Sequence, residues 1–139
     1  MQDFRELKVW AKSHQLTIAV YKNTVDFPKE ERYGLTSQIR RACASIPANI
    51  AEGCGRSGNA ELLYFLNVAM GSASELQYHL LLARDLCLLK NNAYKELPDA
   101  LTEVKQKLTS LVKKIKNPRA MSDPPKLPTV NCSLSTNKE

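Results

Sequence analysis

The sequence predicts an all-α fold, an antiparallel up-and-down four-helix bundle, from three observations. Four long segments repeat apolar residues at alternating steps of four and three, prolines and glycines punctuate the chain between them, and no segment alternates apolar with polar residues as a half-buried strand would. Heptads on successive helices favour left-handed crossings of about 20°, the geometry of such a bundle. With 139 residues the chain suits one domain around a single core.

Helix one is predicted over about residues 4–25. Asp3 and Glu6 have the spacing of an acidic capping box, and Leu7, Ala11, His14, Ile18, Tyr21 and Val25 follow as its seam. Phe27 and Pro28 end it, because a proline pushes the preceding residue out of the helical region, and Gly34 marks the next turn. Helix two starts at Leu35 or Thr36 with the seam Leu35, Ile39, Ala42, Ile46 and Ile50. Pro47 lies inside it, removes the amide that would bond the Cys43 carbonyl, and predicts a kink before Gly53 and Gly55 close the helix.

Ser57 or Asn59 caps helix three, over residues 59–90, whose seam is Leu62, Leu66, Ala69, Ala73, Leu76, Leu80, Ala83 and Cys87. Asn91, Asn92 and the neighbourhood of Pro98 make the next turn. Leu97, Leu101, Val104, Leu108, Leu111 and Ile115 then form the seam of helix four, which Pro118 stops. The bundle therefore spans residues 1–117. Residues 118–139, with Pro124, Pro125, Pro128 and many small polar residues, are expected to be a disordered tail. Helix three is apolar beyond its seam, at Leu63, Phe65, Val68, Leu81, Leu82, Leu86, Leu88 and Leu89, and the economical cover for that surplus is another copy of the chain.

Lys and Arg number 20 against 14 Asp and Glu, a net charge of +6 that attracts polyanions, nucleic acid before acidic protein or lipid. Lys105, Lys107, Lys113, Lys114 and Lys116 crowd the end of helix four, and Arg119 follows. Lysines there also complement the helix dipole, so a solvated face competes with a binding face. Arg40 and Arg56, near the kinked helix and in a glycine-flanked loop, complete the candidate nucleic-acid contacts. Three Phe, five Tyr and one Trp fall mostly on seams and form no stacking platform, so binding is expected to be backbone-directed and weakly sequence-specific.

Arg41, Ser45, Asn49, Glu52, Ser72 and Glu75 are polar where helices two and three should pack, and are expected to form a structural network. Glu75 would pair with Arg41, and Asn49 or Glu52 would bond backbone amides freed by Pro47 and Gly53; facing a ligand is the other use of these residues. Gly71, costly in a helix interior, predicts close approach of a neighbouring backbone.

Catalytic chemistry finds little support. Cys43, Cys54, Cys87 and Cys132 form no CxxC pair, and His14 and His79 stand far from them, so neither a metal nor another cofactor is expected. Cys43 and Cys87 fall in apolar helical patterns and are expected to be buried thiols. Glu30 and Glu31 sit with Lys29 and Arg32 as a solvated charge cluster, while the GCGRSG stretch follows a helix and lacks the lysine of a phosphate-binding loop. No enzyme is expected. Met1 leads into Gln2, Asp3 and Phe4 without the basic and apolar regions of a secretory signal, and no run approaches the roughly 18–20 apolar residues of a membrane span. A soluble, cytoplasmic protein without membrane contact is expected.

The stretch YGLTSQIRRACASIPANIAEGCGR from Tyr33 to Arg56, with GSASEL from Gly71 to Leu76, resembles the 23S ribosomal RNA intervening-sequence protein family, small bacterial four-helix-bundle proteins. Phe4, Leu7, Val9, Trp10, Phe27, Pro28, Glu31 and Tyr33 extend the resemblance, which runs from Phe4 to about Lys116. The family is related to the accessory variability determinant of diversity-generating retroelements, but the SIPANIAEG signature brings this chain closer to the ribosomal-insert branch. The resemblance implies a homopentameric ring, no known catalytic activity and a nucleic-acid-binding role, with a reverse transcriptase and its RNA template as partners in the retroelement relatives. Five copies of +6 would give such a ring +30. The resulting expectation is a pentameric nucleic-acid-binding accessory or scaffold protein. Its alternative is an adaptor ring that docks a reverse transcriptase or ribosomal component without touching nucleic acid.

Overall fold

A computed structural model describes residues 2–118; of the predicted tail, residues 119–139 lie outside the described residues. Four α-helices carry the fold, α1 Lys8–Asn23, α2 Leu35–Cys54, α3 Asn59–Asp85 and α4 Asn91–Lys116, and no strand occurs among the described residues. Short 3-10 turns at Phe4–Glu6 and Lys29–Glu31 precede α1 and α2. Each helix packs on its neighbours in sequence and α4 also packs on α1, the α2–α3 contact being the most extensive. Ile39, Ile46, Ile50, Leu66, Leu76 and Leu108 are fully buried in the shared core, each contributing roughly 1.5–3 kcal/mol.

The start and the buried face of α1 both differ from the prediction. The Asp3 carboxylate accepts the Arg5 amide at 3.0 Å and caps the 3-10 turn, and Leu7 is extended, so α1 begins at Lys8 instead of Phe4. Val9, Ser13, Leu16 and Val20 face the core, followed by Thr24 at the C-cap; His14, Ile18, Tyr21 and Val25 are exposed. The true seam carries two hydroxyls. Ser13 donates to the Trp10 carbonyl at 2.9 Å and Thr24 to the Val20 carbonyl at 2.9 Å, so both are buried with their polar groups satisfied by their own helix.

The predicted seam of α2 is buried throughout. Pro47 leaves the Cys43 carbonyl without its helical donor. Thr17 of α1 takes the vacant place: its hydroxyl lies 2.8 Å from the Ser13 carbonyl and 3.3 Å from that of Cys43, and it accepts the Cys43 thiol at 3.6 Å. Gly53 does not close the helix but sits inside it, against α3. A Cβ there would lie 2.9 Å from Leu62 Cδ1 and 3.0 Å from Phe65 Cβ, so the close approach requires glycine. Gly71, where such an approach was expected, has nothing within 4 Å of its missing Cβ.

Gly58, not Ser57 or Asn59, occupies the N-cap of α3, without a side-chain cap. The helix stops at Asp85, short of residue 90. Cys87 adopts φ 61°, its amide bonding the Arg84 carbonyl at 2.8 Å while the Leu88 amide reaches the Ala83 carbonyl at 2.9 Å. This is a Schellman ending, and it turns Cys87 into solvent where a buried thiol was expected. Leu89 then folds into the core with Leu88 packed against it. Helix α4 starts at Asn91 and includes Pro98, earlier than predicted, because the turn is made between Leu86 and Lys90 and Ala93 already reaches the core. No helix among the described residues is long and apolar enough to cross a membrane.

Candidate nucleic-acid interface

The end of α4 carries the expected lysines, but the structure sorts them. Lys107 and Lys114 share the wall of an open groove of about 280 Å³ with Lys8 of α1, over a floor that includes Leu7, Val9 and Leu111. Glu6 is the one carboxylate that lines it. Lys105 belongs elsewhere: its Nζ donates to Gln77 Oε1 of α3 at 2.8 Å, which ties α4 to α3. Lys113, Lys114 and Lys116 stand in the last turn of α4, where the helix dipole favours cations. Lys8 was absent from the sequence-based set because only the packing of α1 on α4 brings it to Lys107 and Lys114.

The two arginines are held by their own chain. Arg40 Nε donates to Thr24 Oγ1 at 2.8 Å and its Nη2 to the Tyr21 carbonyl at 3.4 Å, with the guanidinium 4.7 Å over the Tyr21 ring. It lines a second, larger groove of about 630 Å³ at the end of α1 and the start of α2. Arg56 donates from Nη2 to Glu52 Oε2 at 2.6 Å and lies 5.0 Å over the Phe65 ring. The pair is exposed, so its strength is modest, yet it offsets the charge that made Arg56 a candidate.

The polar residues of α2 and α3 do meet. Ser45 Oγ and Ser72 Oγ are 2.8 Å apart across the two helices, and Asn49 Nδ2 donates to the carbonyl and hydroxyl of Ser45, each at 2.8 Å. Arg41 Nη2 lies 3.8 Å from Glu75 Oε2 and donates to Gln38 Oε1 at 2.6 Å. Glu75 Oε2 also meets His79 Nε2, one turn on in α3, at 3.1 Å. Neither Asn49 nor Glu52 bonds a backbone group freed by Pro47 or Gly53, since Thr17 reaches the Cys43 carbonyl and Glu52 takes Arg56. Between α2 and α3 the direct polar contacts are therefore Ser45 with Ser72 and Arg41 with Glu75, while Glu52 stays with Arg56. The buried Cys43 thiol is pushed up to about 11 by burial, the Thr17 hydrogen bond opposing this, which disfavours the thiolate.

Among the described residues, no group of three His, Cys, Asp or Glu is placed to hold a metal ion. Large apolar side chains stand exposed on several faces, among them Tyr64, Tyr78, Leu81 and Leu86 along α3 and its end. Tyr33 is 89% exposed, so the aromatic residues are less confined to seams than their spacing suggested.

No curated protein matches the chain. A solved structure from Bacteroides thetaiotaomicron VPI-5482, described as a protein with unknown function from the S23 ribosomal protein family, is similar at a TM-score of 0.68 and 28% identity, over 76% of this chain and 98% of that one. The family of the 23S rRNA-intervening sequence protein matches residues 5–110, which include the Ser45–Ser72 contact, the Arg41–Glu75 pair and Lys107. The chain belongs to the 23S rRNA-intervening sequence protein family.

Proposed function

We propose that the protein is a non-enzymatic nucleic-acid-binding accessory or scaffold protein of the cytoplasm, in which four antiparallel up-and-down helices assemble as a homopentamer. The observation that carries the binding is the convergence of Lys8, Lys107 and Lys114 from two helices on one groove with a single carboxylate in its wall. Such a cluster meets phosphates, not base edges, so binding should release counterions and ignore sequence. The family's name, with its reference to 23S rRNA, favours RNA over DNA. The antiparallel arrangement is supported by Ser45 meeting Ser72 while Gly53, further along α2, meets Leu62 and Phe65, earlier in α3. Assembly is supported by the exposed Tyr78, Leu81 and Leu86, a surface that a lone soluble chain would have reason to cover.

The test is a charge reversal. Lys107→Glu with Lys114→Glu leaves Leu101, Val104 and Leu108 buried as before, so circular dichroism and oligomer mass should not change. Each lost phosphate contact lowers the slope of log affinity against log salt by about 0.7–0.9, so the pair should lower it by about 1.4–1.8 per engaged protomer. Normal RNA binding by the double variant would refute the lysine face. Wild-type binding that is absent or indifferent to salt would favour the adaptor that docks a protein, such as a reverse transcriptase or ribosomal component.

A further inference from the structure

We propose that the groove between the end of α1, the Lys29–Glu31 turn and the start of α2 holds an unpaired nucleotide of single-stranded nucleic acid, with its phosphate among the cations and its base on Tyr33. The proposal rests on the nucleic-acid reading above and deepens it, because the lysine groove alone gives no preference between strands and duplexes.

Four observations converge on this groove. Its walls carry Lys29, Arg32, Arg40 and Arg41 and no Asp or Glu, although Arg41 also lies 3.8 Å from Glu75 outside the groove. Among the described residues no carboxylate pairs with Lys29 or Arg32, so their charge is available to an anion. Arg40 is immobilised by Thr24 and Tyr21, and a cation already held in place loses little freedom when it binds. The third observation is a buried hydroxyl without a partner. Thr36 lines the groove, is 9% exposed, and its Oγ1 has no hydrogen-bond partner among the described residues. Leaving such a group unpaired is costly, and a ligand oxygen near it relieves that cost. It stands in the first turn of α2, where the Glu31 carboxylate already accepts the Leu35 amide at 3.1 Å, so the helix end itself is taken and the Thr36 hydroxyl is the group left for a ligand.

The fourth observation selects a nucleotide over a bare phosphate. Tyr33 is 89% exposed beside these cations, leaving its ring open among the described residues, while Tyr21 is covered on one side by the Arg40 guanidinium. An exposed ring next to phosphate-binding cations is the arrangement that grips single strands, whose bases are free to stack. A duplex keeps its bases stacked inside and cannot use the ring. The groove, about 630 Å³, lies within the size range of sites for small organic ligands and admits one nucleotide.

The experiment measures binding of a short oligouridine and of an RNA duplex to the full chain at about 50 mM salt. Tyr33→Ala should weaken oligouridine binding by about 5- to 150-fold and leave duplex binding unchanged, while Tyr33→Phe keeps the stack and binds as wild type. Arg32→Ala should weaken oligouridine binding as well, and 4-thiouridine in the oligomer should crosslink to the peptide that contains Tyr33. If Tyr33→Ala binds oligouridine normally while the wild type still binds duplex, the groove proposal falls and the nucleic-acid reading stands. If the wild type binds neither, both fall. A fall in oligomer mass on Tyr33→Ala would make the groove a contact between copies and overturn the proposal.

Discussion

Alanine placed at Gly53 and at Gly71 isolates the steric cost of the α2–α3 contact. Both glycines are helical and neither has a positive φ, so each substitution brings a gain in helix propensity, about 1 kcal/mol in a helix interior and less near the end of α2. Their surroundings differ. At Gly71 the new methyl meets nothing within 4 Å, so the gain should appear in full as added stability. At Gly53 it would lie 3.0 Å from Phe65 Cβ, which cannot rotate away, and 2.9 Å from Leu62 Cδ1, which can. Comfortable carbon contacts begin at about 3.5 Å, so α2 and α3 must part locally by about 0.5 Å, an overpacking that costs about 1–3 kcal/mol. The expected result is Gly71→Ala more stable than wild type by up to about 1 kcal/mol and Gly53→Ala less stable by about 0–2 kcal/mol. Urea unfolding followed by circular dichroism reads the difference as midpoints at a common slope, at one protomer concentration because assembly shifts apparent stability. Equal midpoints for the two variants would refute the close approach at Gly53. A Gly71→Ala variant that lost oligomer mass would locate a neighbouring chain on that face of α3.

Four further outcomes follow from the same contacts. Cys87→Gly should stabilise the fold by about 0.5–1 kcal/mol, because φ 61° strains a side chain and suits glycine; a lowered melting temperature would contradict the Schellman ending. Thr17→Val should destabilise by about 1–2 kcal/mol by leaving the Cys43 carbonyl beside Pro47 without a donor, whereas Thr109→Val, whose hydroxyl bonds the Lys105 carbonyl at the surface, should change little in the same urea titration. Leu81→Glu and Leu86→Glu, at side chains 38% and 52% exposed, should lower the mass seen by light scattering without loss of helicity, and the buried Leu76→Glu should unfold the chain; unchanged mass in both exposed variants would sink assembly through α3. Peptide mapping after a thiol reagent at about pH 8 should find Cys87 modified and Cys43 spared in the folded protein. The Cys43 contribution to stability is intact below the ordinary thiol value of 9.0 and is lost as pH rises through about 11, since the unfolded chain releases that proton first; rapid labelling of Cys43 in the folded state would contradict its burial.

The seams of α2 and α4 were legible from Leu35 to Ile50 and from Leu97 to Leu108, because the seam positions are apolar and the period counts them directly, Thr36 being the one buried hydroxyl that it passes over. The face of α1 was not. Ser13 and Thr24 count as polar in any periodic reading, yet both are buried with their hydroxyls on their own helix carbonyls, and the apparent stripe through Ile18, Tyr21 and Val25 lies outside. The end of α3 was misjudged for a related reason. Apolar residues continue past Asp85, but Leu88 and Leu89 reach the core from a turn, and Cys87 is the residue that makes the turn.

By itself the sequence determined four helices, most of the core, the family, and the polar residues that bind α2 to α3, since these follow from periodicity, proline and glycine placement, and local residue chemistry. The tertiary structure alone decided which cations lie together. Lys105 is spent on Gln77 and Arg56 on Glu52, Arg40 is held in place by Thr24, and Lys8 joins Lys107 and Lys114 from the other end of the described chain. Charge and hydrogen-bond capacity belong to single residues and can be read in order along the chain. Their availability depends on which partners lie within about 3 Å, and that distance exists only after the helices have packed.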